Sequence, residues 1–348
     1  MSSRQASRIV YVALSGGVDS AVAASRVVRA GHRVVGVFMR PWQPPGVRCL
    51  WEREREDALR VASHLNIPFL DWDFSRQYGR SVADPMVRDY RAGRTPNPDV
   101  ECNRHIKFGL FAARAFKDGA DMIATGHYAR IVRRDGRLYL AAARDTNKDQ
   151  TYFLWAIPPR VLDRTLFPVG GMTKAQVRAH ARRVGLSVAQ KKDSQGVCFV
   201  GDLDVKGFLA SRITPRSGRI VHRDGRELGT HDGAAFYTIG QRHGLNITTG
   251  GGPFYVCARD VRRNVITVGD EQDLYSTEAR IRDTRWFGDA PETGSRIQVK
   301  IRYRTPAVPA VMQRGGRIRF LRPVRAAAPG QSAVIYRRAL LWGGGILA

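Results

Sequence analysis

The stretch Ser15-Gly16-Gly17-Val18-Asp19-Ser20 constrains this chain more than any other, because it joins an apolar run, 9–14, directly to a helical pattern, 19–30. A strand that stops at two glycines before a helix leaves several backbone N–H groups without intrahelical partners. Together they make an anion cradle. Gly16 and Gly17 permit positive φ and close backbone approach, Ser15 and Ser20 add hydroxyl donors, and the Asp19 carboxylate suits Mg²⁺ better than bare phosphate. A Walker A loop ends in Gly-Lys-Ser/Thr and a Rossmann loop reads Gly-x-Gly-x-x-Gly, and neither pattern fits these residues. A plain tight turn is the bland alternative. Strand before, helix after, two serines and an aspartate together favour the nucleotide loop.

Residues 33–39 form a second apolar strand, so strand, helix and strand follow within some thirty residues, a βαβ unit. An α/β domain with a parallel sheet and helices on both faces is expected, with the ligand at the carboxyl ends of the strands. This places Met39 near the loop. Further strands are expected at 67–73 and 121–125, the latter ending at Gly126-His127-Tyr128, and helices at 77–90 and from Lys148 to Leu154. Asp135-Gly136 signals a hairpin within 130–142, and Thr173 caps a helix that Gly185 closes. After Asp202 the long helical patterns stop, and glycine-rich turns separate short alternating strands.

The 57 Lys plus Arg residues outnumber 31 Asp plus Glu, a net charge of +26 spread over 348 residues, and such a field attracts polyanions, nucleic acid foremost. No apolar run reaches the length of a membrane span, so no membrane association is expected. Cys49, Cys102, Cys198 and Cys257 lie far apart without a C-x-x-C pair, which argues against a disulfide framework or zinc site and for a reducing cytoplasm.

Two of these thiols stand in unusual settings. Cys102 follows Thr95-Pro96-Asn97-Pro98-Asp99, whose prolines imply an extended segment before a helix starting near Cys102. Arg94, Arg104, His105 and Lys107 nearby favour its thiolate. Cys198 sits in Lys191-Lys192-Asp193-Ser194-Gln195-Gly196-Val197-Cys198, an electropositive, glycine-containing stretch suited to a thiolate or persulfide. For each thiol, a small buried hydrophobe is the structural alternative. From Arg280 to Arg325 there are 12 Arg or Lys against three acidic residues, and 297–304 alternates so that Lys300, Arg302 and Arg304 would share one strand face.

The loop resembles that of the P-loop-like ATP pyrophosphatases, which split ATP between its α and β phosphates. The loop, the proline-flanked Cys102, Cys198 and the basic β-rich tail, taken together, resemble the tRNA-uridine 2-sulfurtransferase (MnmA/TrmU) family over almost the whole chain. The resemblance implies a PP-loop, adenine nucleotide alpha hydrolase-like catalytic domain at 1–203. A small β-rich domain at 204–274 and a tRNA-contacting β-barrel at 275–348 would follow. It implies ATP-dependent 2-thiolation of the wobble uridine, with ATP and Mg²⁺ as cofactors, tRNA (anticodon region) as substrate, and a cysteine desulfurase or sulfur-relay protein as persulfide donor. In this reading Ala13, Leu14, Ser15, Gly16, Gly17, Val18, Asp19, Ser20, Met39 and Gly126 line ATP, and Asn97, Pro98 and Asp99 meet the target base. Cys102 is the nucleophile, Cys198 the persulfide carrier and Asp99 a general acid or base. His127, Lys148, Asp149, Gln150, Arg302, Tyr303 and Gln331 contact tRNA. Ala21 and Gln195 depart from the family pattern, where serine and threonine are common.

Two other readings compete. A small-molecule adenylating synthetase would share the loop but need neither paired thiols nor a basic barrel. A non-catalytic RNA-binding protein would tolerate serine at both Cys102 and Cys198. An iron–sulfur thiolase is disfavoured by the absence of a C-x-x-C ligand pair.

Overall fold

A computed structural model describes residues 6–43, 51–192, 204–248 and 250–348, so Cys49 and Cys198 fall outside the described residues. The chain divides into two compact units. The first comprises Met1–Val82, Asp99–Asp202 and Ala339–Trp342, and the second Ala83–Pro98, Leu203–Arg338 and Gly343–Ala348.

In the first unit, β1 (Ile9–Ala13), β2 (Arg33–Arg40), β3 (Phe69–Asp73) and β4 (Met122–Ala124) precede a hairpin of β5 (Arg130–Arg134) and β6 (Arg137–Ala141), then β7 (Thr165–Leu166). The parallel sheet runs β3-β2-β1-β4-β7, as the βαβ pattern implies. Period-two alternation splits the β1 side chains between two layers. Val10 and Val12 join a core with Val22, Ala58, Val61, Val177 and Ala181, which come from helices Val18–Arg29, Trp51–His64 and Lys174–Arg183. Tyr11 faces the other way onto Trp72, which packs on Phe74 and Phe111. Each fully buried aliphatic or aromatic side chain of this kind contributes about 1.5–3 kcal/mol.

The hairpin turns at Asp135 (φ 50) and Gly136 (φ 75), the left-handed pair that a two-residue turn of this type requires. The Lys174–Arg183 helix opens with a capping box between Thr173 and Gln176.

Three local expectations are revised. The helical run containing Cys102 begins four residues earlier, at Pro98, because proline is tolerated in a first turn, where its missing N–H has no partner to lose. It continues as a π-helix over Cys102–Phe111 and an α-helix over Ala112–Lys117, and Glu101 is already helical at φ −68, ψ −36. Gly109 accommodates the π geometry: a Cβ there would stand 2.9 Å from the Arg104 carbonyl. The helix expected from Lys148 reduces to one 3₁₀ turn, Thr151–Phe153. The strand expected over 297–304 ends at Lys300; Ile301 is buried and Arg304 is left-handed (φ 66), so Lys300, Arg302 and Arg304 do not share a strand face.

In the second unit, β8 (Gly218–His222), β9 (Glu227–His231), β10 (Tyr255–Asp260) and β11 (Val265–Gly269) form a sheet ordered β10-β11-β8-β9. Then β12 (Tyr275–Trp286), β13 (Arg296–Lys300), β14 (Val308–Met312), β15 (Arg317–Arg325), β16 (Ser332–Arg337) and β17 (Leu340–Leu347) pair in the order β12-β15-β14-β13-β16-β17. The β12–β17 pairing closes a six-stranded barrel. The closing strand carries Gly343, Gly344 and Gly345. A Cβ at Gly343 would lie 2.2 Å from the Arg285 carbonyl oxygen, so closure depends on the glycine.

Candidate active site

At the carboxyl end of β1, Gly16 takes φ 71 and Gly17 enters the Val18–Arg29 helix with extended φ/ψ and no side-chain cap. The N–H groups of the first turn are therefore available to an anion. The loop is fastened from within. Ser15 N–H donates to Ser20 Oγ (3.2 Å), and the Ser20 hydroxyl donates to the Gly17 carbonyl (3.0 Å), so Ser20 spends its proton on the loop while Ser15 stays exposed. Behind it, a Cβ at Gly16 would sit 2.2 Å from the Glu54 carbonyl oxygen; only glycine fits between loop and helix. Gly126 has the same role on the other side, where a Cβ would stand 2.7 Å from Ser20 N.

Two lysines flank the cradle. Lys174 Nζ donates to both Asp19 oxygens at 2.8 Å, and Tyr128 OH donates to Oδ1 at 2.8 Å. Lys191 Nζ donates to the Gly16 carbonyl (3.1 Å) and to Asp57 Oδ2 (2.7 Å). Burial raises the Glu54 carboxyl pKa, with Lys191 opposing and Asp57 adding to the rise.

The strand-end residues hold Tyr128 in place. Its N–H donates to Gln150 Oε1 (2.9 Å) and its carbonyl accepts the Gln150 N–H (2.9 Å). Asp149, expected to contact tRNA, is buried. Its Oδ1 accepts the Ala143 N–H (3.0 Å) and its Oδ2 the Thr151 hydroxyl (2.8 Å). His127 is also buried, with Nδ1 2.8 Å from Thr125 Oγ1 and the ring against Phe108 and Phe167. Burial, then the Lys107 ammonium, holds its pKa well below 6.5, so the ring is neutral. Neither side chain presents its polar atoms outward, and each acts on the strand-end loop around it.

Ala13, Leu14, Val18 and Met39 are buried, so β1 and the helix start offer a ligand their backbone. Cys102 is fully buried in the second turn of the 98–117 helical run. Its neighbour Asn103 donates Nδ2–H to the Phe153 carbonyl (3.1 Å), tying this turn to the Thr151–Phe153 segment. Asp99 is half-buried on the same run. Cys198 lies outside the described residues.

In the second unit, the segment before Asn97 and Pro98 is clamped. Gln331 Nε2 donates to the Thr95 carbonyl (2.8 Å) and Thr95 N–H to the Pro329 carbonyl (2.8 Å). Arg259 donates to the Tyr237 carbonyl and, at 2.7 Å, to Thr95 Oγ1, and burial lowers its pKa. Arg302 donates to the Ala326 carbonyl (3.3 Å), and the Arg304 guanidinium lies over the Tyr303 ring. Sequence reasoning missed Lys174, Asp57 and Arg259 as members of these constellations. The one local signal was Lys174 at the head of a well-capped helix.

The residues fit a nucleoside triphosphate. The cradle supplies an uncapped helix end, Lys174 and Lys191 supply positive charge, and Asp19 is one carboxylate of the kind Mg²⁺ shares with phosphate oxygens. Among the described residues no group of three or more His, Cys, Asp or Glu could hold a metal ion.

A parallel sheet with this cradle at its carboxyl edge, followed by a closed barrel, defines an α/β enzyme of the PP-loop class. Models of three domains cover the chain in turn: a tRNA methyl transferase HUP domain at residues 8–202, a tRNA methyl transferase PRC-barrel domain at 206–270 and an aminomethyltransferase beta-barrel domain at 276–347. The tRNA-specific 2-thiouridylase MnmA 2 of Geobacillus kaustophilus is 43% identical over 97% of this chain and 94% of its own. The tRNA-specific 2-thiouridylase MnmA of Acidithiobacillus ferrooxidans is 43% identical over 98% of both chains. The MnmA of Halorhodospira halophila is 43% identical over 97% of this chain and 92% of its own. The chain belongs to the tRNA-specific 2-thiouridylase (MnmA) family.

Proposed function

We propose that this chain uses ATP to replace the C2 oxygen of the tRNA wobble uridine by sulfur. The observation that carries the reading is the Gly16–Ser20 cradle, with its uncapped helix end and two flanking ammonium groups, in a chain 43% identical to 2-thiouridylases along almost its entire length. Oxide is a poor leaving group. Forming a bond from uracil O2 to the α-phosphorus, with cleavage of the α–β bridge, releases pyrophosphate and turns that oxygen into part of AMP. The backbone N–H groups of the helix start and Lys191 hold the departing phosphates. Bound Mg²⁺ would neutralise phosphate charge, with Asp19 as its protein ligand.

The terminal sulfur of a Cys198 persulfide then attacks C2, and the C2–O bond breaks as AMP leaves. The Cys102 thiolate attacks the Cys198 sulfur, forming a Cys102–Cys198 disulfide and leaving the transferred sulfur on C2. Asp99, three residues before Cys102, acts as the general acid or base. Asn97 and Pro98 meet the base, Lys148 and Arg302 with Tyr303 meet the tRNA, and His127, Asp149, Gln150 and Gln331 set the loops that do so. A cysteine desulfurase or relay protein reloads Cys198. Reduced thiols of this kind suit the cytoplasm, and no helix among the described residues is long and apolar enough to cross a membrane.

Mass spectrometry of nucleosides from tRNA incubated with the protein, ATP, Mg²⁺ and a persulfide source tests the reading. 2-Thiouridine is expected with wild type and absent with Cys198→Ser or without ATP. ATP cleavage to AMP driven by a small acid or amide, with no thiolated base, would replace it with a small-molecule synthetase.

A further inference from the structure

On the barrel, Arg280, Arg314 and Arg317 line a shallow depression of about 470 Å³ with Gln313 and Gly315. Strand register creates it. Arg280 of β12 stands directly opposite Arg317 of β15, so the two guanidinium groups leave the same outer face of the barrel. The β14–β15 turn adds the third. Gln313 N–H donates to the Arg317 carbonyl (2.8 Å), and Gly315 (φ 66) and Gly316 (φ 73) are left-handed. A Cβ at Gly316 would lie 2.5 Å from the Ile281 carbonyl oxygen, so the glycine fixes the turn against β12. Arg280 Nε donates to the Gly315 carbonyl (3.2 Å), which anchors that side chain at the rim.

All three arginines are exposed, and none forms an ion pair with a carboxylate among the described residues. Arg282 and Arg325 nearby do have one each, Asp283 and Glu271. Glu278 lies two pairs along the ladder, opposite Arg319. Like charges placed directly opposite across an antiparallel pair are destabilising, by a few tenths of a kcal/mol to about 1 kcal/mol. A planar, bidentate donor set without an internal acid is what a phosphodiester oxygen pair accepts.

We propose that the Arg280–Arg314–Arg317 depression is a phosphate site for the RNA backbone, a contact that positions tRNA without reading its sequence. The proposal rests on the tRNA-thiolating reading and names a surface of its substrate outside the cradle and the cysteines. The contact adds affinity and leaves chemistry at saturating tRNA untouched.

The test is tRNA binding to the full chain across a salt series, comparing wild type, the triple variant R280Q/R314Q/R317Q, and a control triple, R219Q/R226Q/R263Q, whose arginines already hold carboxylates. The triple variant is expected to raise Kd about tenfold near physiological salt, three exposed contacts of modest size acting together. It should also flatten the log–log salt slope by about 2–3, near one unit per lost phosphate contact. KM for tRNA rises in parallel while kcat holds. Equal weakening by both triples would show that net charge alone matters and would overturn the site, as would an unchanged slope. Inorganic tripolyphosphate binding that the triple variant abolishes, with tRNA binding unaltered, would assign the depression to a free anion and refute the RNA contact. If wild type makes no 2-thiouridine, the functional reading fails separately, because the binding series does not depend on turnover.

Discussion

Replacing Tyr128 by Phe removes one oxygen atom and tests whether Asp19 is held for nucleotide binding. The ring is 2% exposed and its hydroxyl donates to Asp19 Oδ1 at 2.8 Å. A hydrogen bond to a charged group contributes about 1.5–3 kcal/mol. The lower end applies here, since Lys174 remains on both oxygens and the Asp19 side chain keeps 32% of its surface in solvent. Tyr128→Phe should therefore cost about 1.5 kcal/mol, or about 2 °C in Tm for a chain of this size. With its carboxylate less well oriented, ATP affinity is expected to fall about tenfold by calorimetric titration in the presence of Mg²⁺. A double-mutant cycle with Asp19→Asn separates position from packing: the cycle should show about 1 kcal/mol or more of coupling in ATP binding. ATP binding by Tyr128→Phe within twofold of wild type, with no coupling in the cycle, would refute the role assigned to this pair.

Gln331→Ala should raise KM for tRNA several-fold and leave KM for ATP unchanged in steady-state thiolation assays, because it frees the Thr95 carbonyl that its amide holds at 2.8 Å. Gln331→Glu should not rescue it, since a carboxylate has no donor. His127 has a depressed pKa from burial, so the unfolded chain takes up a proton that the folded chain refuses; its stabilisation is complete above about pH 6.5 and declines as pH falls below that value. Thermal melts between pH 8 and pH 5.5 should show a shallower pH dependence in His127→Gln than in wild type. Gly343→Ala places a methyl 2.2 Å from the Arg285 carbonyl oxygen and should cost about 2–3 kcal/mol in urea unfolding, with an unchanged m-value.

The parallel sheet, the cradle and the hairpin at Asp135-Gly136 were legible because each rests on a local pattern: apolar runs, glycines and a two-residue turn. The closing strand β17 was not. Its Gly343-Gly344-Gly345 carries no strand pattern, and only the approach of β12 makes glycine the residue that fits. The start of the Cys102 helix was missed because two prolines were read as excluding helix, whereas Pro98 begins it. The alternation from Ile297 was overextended because sequence period carries no sign of where a strand bends away, and the bend falls at Ile301.

The cradle's charge balance was beyond any local reading, since Lys174 lies 155 residues from Asp19 and Lys191 lies 134 from Asp57. Its logic is nonetheless simple. A helix start with unpaired N–H groups and two neighbouring ammonium groups would repel itself, and a buried ammonium without a partner is costly. Each lysine is instead held on a carboxylate at 2.7–2.8 Å. The same contacts order Asp19 through Tyr128 and Gln150, and Gly16 through its carbonyl. In the function proposed above, a triphosphate entering this loop meets donors that these contacts already hold in place.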